Sequence, residues 1–476
     1  MSLLKSFEKR ESLPEKMIQP ERQEPERRLS LFDATMIVSG AIIGAGIFIN
    51  PAESARFLQN SGQLLFVWIL AGVIAFLGGL CFAELGSLFV HSGGQYLYLK
   101  VAFTPWLGFL FGWTLFTTIQ SGAIAAVAVT CARFLRSLLA FPEKATIFMA
   151  AIIIWFLSVV NFFGIRPGSL VQNVFTALKL LALFFLIFLG IYNSLFSSSG
   201  YVSFGPLFPE RINFSFLSAL GLALMPALFS YGGWQNLNFV AGEVINPRRL
   251  LPLAIILGVS IVVAVYVLTN WFYLTSLPFD KLCSSNQVAA DAVEALLGQK
   301  YSRLISLAIV ISTFGITNVF ILTGPRVYQA MAREGAFLPL AARLHPRFQT
   351  PHLSIFLQSA WASLLLFSNT YSQLLQYVTF GDWIFFGLTA LALIKLRKKL
   401  PAQTGVYRVW GFPWVPLIFA FISFAVVINV FIFSPLKSLM GTAIILSGLP
   451  LFWLSRKRVQ EEVRNGGQAN SLSGMG

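Results

Sequence analysis

Apolar runs of 18 or more residues recur along nearly the whole of this chain, and a run of that length is what an α-helix needs to cross a bilayer. Only 11% of the residues are charged and 56% are hydrophobic, against roughly a quarter charged in an average soluble domain. A water-soluble protein of this size has no core large enough to hide all of these runs. They divide the chain into about twelve spans: 31–55, 63–89, 106–132, 146–164, 169–195, 214–242, 253–275, 304–325, 352–369, 373–394, 412–434 and 439–455. The expected fold is an all-α integral membrane protein with a single transmembrane domain over residues 31–455. Residues 1–30 and 456–476 are polar and of mixed charge, and read as flexible cytosolic tails. No short apolar stretch of a cleavable signal peptide opens the sequence.

A net charge of +15 raises the question of nucleic acid, and its distribution answers it. Apart from Lys179, which lies inside a span, 24 Lys/Arg fall on the side shared with the N-terminus and nine on the other. The heaviest clusters are Arg27–Arg28, Arg248–Arg249, Lys395 with Arg397–Lys399, and Arg456–Arg458. Basic residues gather on the cytosolic side of membrane proteins, so both termini are expected in the cytosol. The basicity is a topology signal, and no nucleic-acid partner is expected. Cys81, Cys131 and Cys283 have no metal-type spacing and imply neither a disulfide framework nor a metal site. No nucleotide-binding loop or nucleophile–base pair is visible, so the chain is not expected to be an enzyme or to need a cofactor.

Two spans are interrupted. The first reads GAIIGAGIF (Gly40–Phe48) and the sixth FSYGGWQNLNF (Phe229–Phe239). The first break centres on Gly44-Ala45-Gly46, roughly 13 residues or ~20 Å into its span at 1.5 Å per residue, near the bilayer midplane. Unwound backbone at that depth has no water to bond, and is tolerated only where it lines a protein-walled or watery cavity. Paired glycine-interrupted spans in corresponding halves of a membrane protein point to a transported substrate's site. Spans 1–5 (about 31–195) and 6–10 (about 214–394) are then the two halves of a 5+5 inverted repeat, with spans 11 and 12 (about 412–455) outside it. Helix packing is the competing account of the first motif, because Gly40 and Gly44 also form a GxxxG pair. At the second break Pro226 weakens the helix ladder, Phe229 and Trp234 offer aromatic cover, and Gln235, Asn236 and Asn238 are neutral donors and acceptors. A zwitterion fits: its carboxylate meets N–H groups of the first break, its ammonium freed carbonyls of either. The motif's lack of Asp, Glu and Arg argues against both a polyamine and a dicarboxylate.

The segments GAIIGAGIF, FSYGGWQNLNFVAGEVINPRRLLP (229–252) and GPRVYQAMAREG (324–335) resemble the amino acid–polyamine–organocation superfamily. Within it they resemble the L-type amino acid transporter branch and its bacterial serine/threonine exchangers. NFFGIRPGSLVQNVFTALKLLAL (161–183) and GTAIILSGLPLFWL (441–454) support the same branch. The resemblance implies a leucine-transporter-like fold with helices 1 and 6 broken, alternating access, and exchange of neutral L-amino acids. It implies substrate contacts from Ile43, Gly44, Ala45, Gly46 and Ile47 in the first span and Phe229, Ser230, Gly232 and Gln235 in the sixth. Phe229 would be the outer aromatic gate, and Gly232 would leave room for a side chain. Ala45 stands where relatives often carry Ser, and Gln235 where some carry Asn. Human-type members tether a heavy subunit through a Cys between spans 3 and 4. The corresponding loop here, RFLRSLLAFPEKA, has none, so no disulfide-linked subunit is expected.

Four acids and bases stand out. Lys179 lies about ten residues inside span 5, where an unpaired lysine costs about 2.5–3.5 kcal/mol, so it must face the interior. The resemblance implies that its ammonium replaces a coupling sodium ion, touching carbonyls near Gly40–Ile43 and a span-8 hydroxyl, Ser312 or Thr313. Asp382 in span 10 either lines a water-filled vestibule beside Trp383 or carries a proton. Glu84 and Glu243 are assigned structural contacts near the cytosolic ends of spans 2 and 6. The leading expectation is a sodium-independent exchanger in the cell membrane. A proton-coupled symporter and a membrane receptor that binds without transport are the alternatives.

Overall fold

The computed structural model describes residues 26–196, 205–211, 213–368, 371–400 and 404–454. The expected tails lie outside these, except for residues 26–30. Among the described residues the secondary structure is helical apart from one isolated bridge, Leu29 to Val244. In chain order the helices are α1 Leu31–Ile42, α2 Gly46–Ala55, α3 Ser61–Leu88, α4 Gln95–Ala102, α5 Pro105–Leu139, α6 Thr146–Phe162, α7 Ile165–Phe196, α8 Phe214–Tyr231 and α9 Asn236–Phe239. Then follow α10 Pro247–Ser276, α11 Phe279–Ser284, α12 Val288–Leu297, α13 Ser302–Arg333, α14 His352–Ser368, α15 Tyr371–Lys399, α16 Trp414–Phe433 and α17 Pro435–Leu446.

Ten helices among the described residues are long and apolar enough to cross a membrane, eleven if the bent pair α1–α2 counts as one span. The ninth expected span is the shorter apolar helix α14. Several helices run past the expected spans, among them α5 to Leu139, α10 from Pro247, α13 to Arg333 and α15 to Lys399. Helix α13 runs on to Arg333, because Arg326 is held inside the protein by Glu243 and the helix need not stop where apolar sequence does. Helix α5 contains a π-helical stretch at Leu115–Ile119 that hydropathy cannot signal.

Large apolar side chains are exposed along α6, α7, α16 and α17, for example Phe156, Leu181, Phe188, Phe421 and Leu436. On α7 they alternate with a buried stripe, Gln172, Thr176, Lys179, Leu183, Leu186 and Gly190, at the three-to-four-residue spacing of one helix face. This is a helix with lipid on one side and a polar interior on the other.

The connections collect at two ends. At the end where residues 26–30 lie, here the N-side, Arg28 and Leu29 donate to the Glu243 carbonyl, and Lys100 pairs with Glu334. Arg397 pairs with Glu84, whose carboxylate also accepts from the Val409 N–H. At the opposite end Arg56 reaches the Cys283 and Ser285 carbonyls, and Asn60 that of Pro206. The two broken segments lie side by side in opposite directions, α2 against α8 and α1 against α9. That antiparallel pairing is what an inverted repeat requires.

Candidate functional site

Ser30 starts the first broken span with a capping box: its hydroxyl accepts from the Asp33 N–H, and the Asp33 carboxylate accepts from the Ser30 N–H. The helix ends at Ile43, whose backbone is extended, and restarts at Gly46. The carbonyls of Gly40, Ile42, Ile43 and Gly44 are taken by fixed donors. Lys179 Nζ donates to the Gly40 and Ile43 carbonyls at 2.7 Å each, Ser312 Oγ to those of Ile43 and Gly44 at 3.2 Å, and Tyr266 Oη to that of Ile42 at 3.1 Å. The N–H groups of Ala45, Gly46 and Ile47, which open α2, meet no acceptor among the described residues. The first break therefore faces its surroundings as a donor, with the positive end of the α2 dipole behind it. Gly40 serves packing: a Cβ there would fall 1.8 Å from Gln172 Nε2, and only this close approach of α1 to α7 lets the lysine reach the break.

The second break has the opposite character. Helix α8 stops at Tyr231, Gly232 is extended, and Gly233 turns with φ of +129°. A Cβ at Gly233 would lie 2.4 Å from the Ala41 carbonyl oxygen, so glycine is required both by the backbone angle and by contact with α1. Gln235 Oε1 accepts from the Gly233 N–H, and the Gly233 carbonyl is claimed by Asn236. The Ser230 carbonyl accepts from Tyr266, which thereby ties both breaks together. The carbonyls of Tyr231 and Gly232 accept nothing among the described residues, and they stand at the negative end of α8.

Between the breaks lies an open cavity, about 940 Å³ with the solvent at its mouth included. Of the residues singled out from sequence, Gly44, Ala45, Gly46, Phe229, Ser230, Gly232, Gln235, Thr313, Asp382 and Trp383 line it. Ile43, Ile47, Lys179 and Ser312 do not line it and are fully buried behind it. Ile43 presents its carbonyl to Lys179 and Ser312, and Ile47 its carbonyl to Tyr273 Oη. Ser312 shares an acceptor with Lys179 and does not bond the ammonium, both being donors aimed at one carbonyl. Thr313 Oγ1 bonds within its own helix, to the Ile309 carbonyl. The Ser230 hydroxyl is already engaged, donating to the Pro226 carbonyl and accepting from Asn50.

Two sequence readings are corrected. Trp234 covers nothing in the cavity: it is buried and stacked on Phe386 with ring centroids 5.2 Å apart. The break motif itself lacks acid, but α15 brings the Asp382 carboxylate to the same cavity. Four contributors are absent from the sequence reading. Gln120 lines the cavity and holds Asn236, Thr323 and the Phe320 carbonyl through Nε2. Asn50, Tyr266 and Tyr273 fasten the break edges. The two tyrosines, seven apart on an apolar helix and so on one face, were the available signal.

Two ion pairs lie on the N-side, one of them buried on both partners. Arg326 Nε lies 2.7 Å from Glu243 with both side chains almost wholly buried, and Arg397 grips Glu84.

The amino acid permease family model matches residues 29–454. The chain is 33% identical over 452 residues to the human b(0,+)-type amino acid transporter 1, covering 92% of this chain and 91% of that one. It is 31% identical over 438 residues to the human cystine/glutamate transporter (91% and 86% covered). Against the mouse large neutral amino acids transporter small subunit 2, identity is 33% over 433 residues (90% and 81%).

Proposed function

Because this chain belongs to the amino acid permease family, we propose that it is a secondary transporter that exchanges neutral L-amino acids across the cell membrane by alternating access. The observation that carries this is the division of labour between the breaks. Ala45 and Gly46 bring N–H groups to the cavity lining and Gly232 a carbonyl, none of them paired among the described residues. A carboxylate at the first and an ammonium at the second match both helix dipoles. Ala45 and Gly46 would hold the carboxylate and Gly232 the ammonium, with Phe229 closing over the side chain and Gln235 Nε2 in reach of it.

Sodium independence is supported by Lys179, whose ammonium already satisfies the oxygens at the back of the first break. The 24-to-nine distribution of Lys/Arg favours cytosolic termini in a cell-membrane protein. Independence from a disulfide-linked subunit is supported by Cys131, which is buried at 1% exposure where such a bond would need a surface thiol.

Counterflow in proteoliposomes tests the reading. Labelled leucine is expected to enter only vesicles preloaded with amino acid, at the same rate with or without sodium. Uptake into empty vesicles driven by an inward pH gradient would replace exchange with symport, and binding without flux would replace transport with reception.

A further inference from the structure

Away from the cavity, one surface of the N-side joins positive charge to apolar exposure in a way that amino acid exchange does not require. Helix α15 ends in Lys395, Leu396, Arg397, Lys398 and Lys399. Leu396 and Arg397 turn inward, the leucine wholly buried and the guanidinium on Glu84. Lys395, Lys398 and Lys399, three and four residues apart, share the outward face and are exposed. Arg397 also donates to the Val409 carbonyl at 3.1 Å and lies 4.1 Å from the centre of the Phe412 ring. Those contacts pin residues 408–414 beside the lysines, and that segment adds exposed Arg408, Trp410 and Trp414. The Glu84 carboxylate is taken by Arg397 and the Val409 N–H. Lys398, Lys399 and Arg408 pair with no carboxylate among the described residues.

We propose that this surface binds an anionic phospholipid, its phosphate on the basic cluster and its acyl chain on α16. Trp414 opens α16, and Leu417, Ile418 and Phe421 follow at i+3, i+4 and i+7, all exposed on one face of the helix. An acyl chain fits along such a stripe. Tryptophan favours the boundary between membrane and water. Trp410 and Trp414, each 69% exposed, therefore mark the level at which hydrocarbon gives way to headgroups. The lysines close the last turn of α15 and Arg408 precedes the tryptophans, so the charge lies on the headgroup side of that level. Lys395 is partly engaged, its Nζ 4.9 Å from the centre of the Phe103 ring, which leaves Lys398, Lys399 and Arg408 for the phosphate. A zwitterionic headgroup brings a cation of its own to the same cluster, so the surface separates lipids by net charge. On the topology proposed above it meets the cytosolic leaflet, the one that carries anionic lipid. The inference does not depend on which substrate the cavity takes.

The test is native mass spectrometry of the full chain in detergent, titrated with phosphatidylglycerol or with phosphatidylcholine of the same acyl chains. The unaltered protein is expected to bind phosphatidylglycerol about tenfold more tightly or better, since each basic residue near an anionic surface contributes roughly a factor of five. Lys398→Gln with Lys399→Gln should remove most of that preference and leave phosphatidylcholine unchanged. Arg343→Gln with Arg347→Gln removes the same charge elsewhere on the N-side and should leave the preference intact. Trp410→Ala with Trp414→Ala keeps the charge and should weaken both lipids severalfold. Equal affinity of the unaltered protein for the two lipids overturns the proposal. An equal loss in the lysine and arginine pairs means attraction to net charge without a site, and overturns it too. So does phosphatidylglycerol affinity untouched by loss of both tryptophans, or displacement of that lipid by inorganic phosphate, which makes the cluster a site for soluble anions. If a variant does not fold, thermal unfolding of the unaltered protein decides. Phosphatidylglycerol should raise its unfolding temperature and phosphatidylcholine should not, equal shifts being the adverse result.

Discussion

Replacing Lys179 with methionine keeps the length of the side chain and removes its ammonium, so it isolates what the charge does for the first break. Nζ bonds the Gly40 and Ile43 carbonyls at 2.7 Å, in a place with no exposed surface. The two losses are unequal. Ile43 keeps a donor in Ser312 Oγ, whereas Gly40 loses the one side-chain donor that reaches it among the described residues. A buried acceptor left without a partner costs about 1–3 kcal/mol. Removing a buried charge returns several kcal/mol of desolvation, so global stability can move either way and is a poor readout. Transport is the better one, because the orphaned carbonyl is relieved only if the break rearranges, and the break is the proposed site. Since about 1.4 kcal/mol is a factor of ten, leucine exchange by Lys179→Met should fall about ten- to hundredfold at equal protein in the vesicles. Lys179→Arg should not restore it, since a planar guanidinium needs more room than a point-like ammonium. Turnover of Lys179→Met within twofold of the unaltered protein would show that the ammonium does not set the geometry of the break.

Gly232→Val should narrow the substrate range towards alanine and serine while leaving the unfolding temperature nearly unchanged. Its φ of −64° suits any residue, and an added Cβ would meet only the Phe229 carbonyl, at 3.4 Å; unaltered competition by leucine and phenylalanine would contradict this. Arg326→Ala leaves the Glu243 carboxylate buried without its cation, which costs about 3–5 kcal/mol. Thermal unfolding in detergent should register that loss, and the double variant Arg326→Met, Glu243→Leu should regain most of it. A double variant no better than Arg326→Ala would mean that the guanidinium acts chiefly through its bond to the Leu322 carbonyl.

Membrane spans, the two breaks and the buried lysine were legible because each breaks a rule of the bilayer. Hydrocarbon tolerates neither an unpaired peptide group nor an unpaired ammonium, so Gly44–Gly46, Gly232–Gly233 and Lys179 stand out in an apolar chain. Gln120, Asn50 and Tyr266 break no such rule. A lone amide or hydroxyl on an apolar helix is as compatible with packing as with a site, and only the approach of α5, α2 and α10 to the breaks separates the two. Trp234 failed for the converse reason. Its place in the motif was read correctly, but the positive φ of Gly233 turns the following side chain away from the cavity and into the aromatic cluster of Phe386, Phe82 and Phe419. Distance in sequence hid Asp382 from the break, about 150 residues away along the chain, so the absence of acid was judged on the motif alone.

The two breaks also differ in a way that no glycine pattern encodes. From sequence, freed carbonyls of either break were equal candidates to meet an ammonium. Those of Gly40, Ile42, Ile43 and Gly44 are bonded by Lys179, Ser312 and Tyr266, and those of Tyr231 and Gly232 meet no donor among the described residues. A zwitterion placed between them has one favourable orientation, with its carboxylate on the opening turn of α2 and its ammonium at the closing turn of α8. Reversed, it would set each charge against a helix end of its own sign. In that proposed orientation the substrate's side chain would face the rest of the lining, to which α5 and α15 contribute Gln120 and Asp382. On this reading Lys179 would act on orientation without touching the cavity, by occupying the Gly40 and Ile43 carbonyls while that of Gly232 stays open among the described residues.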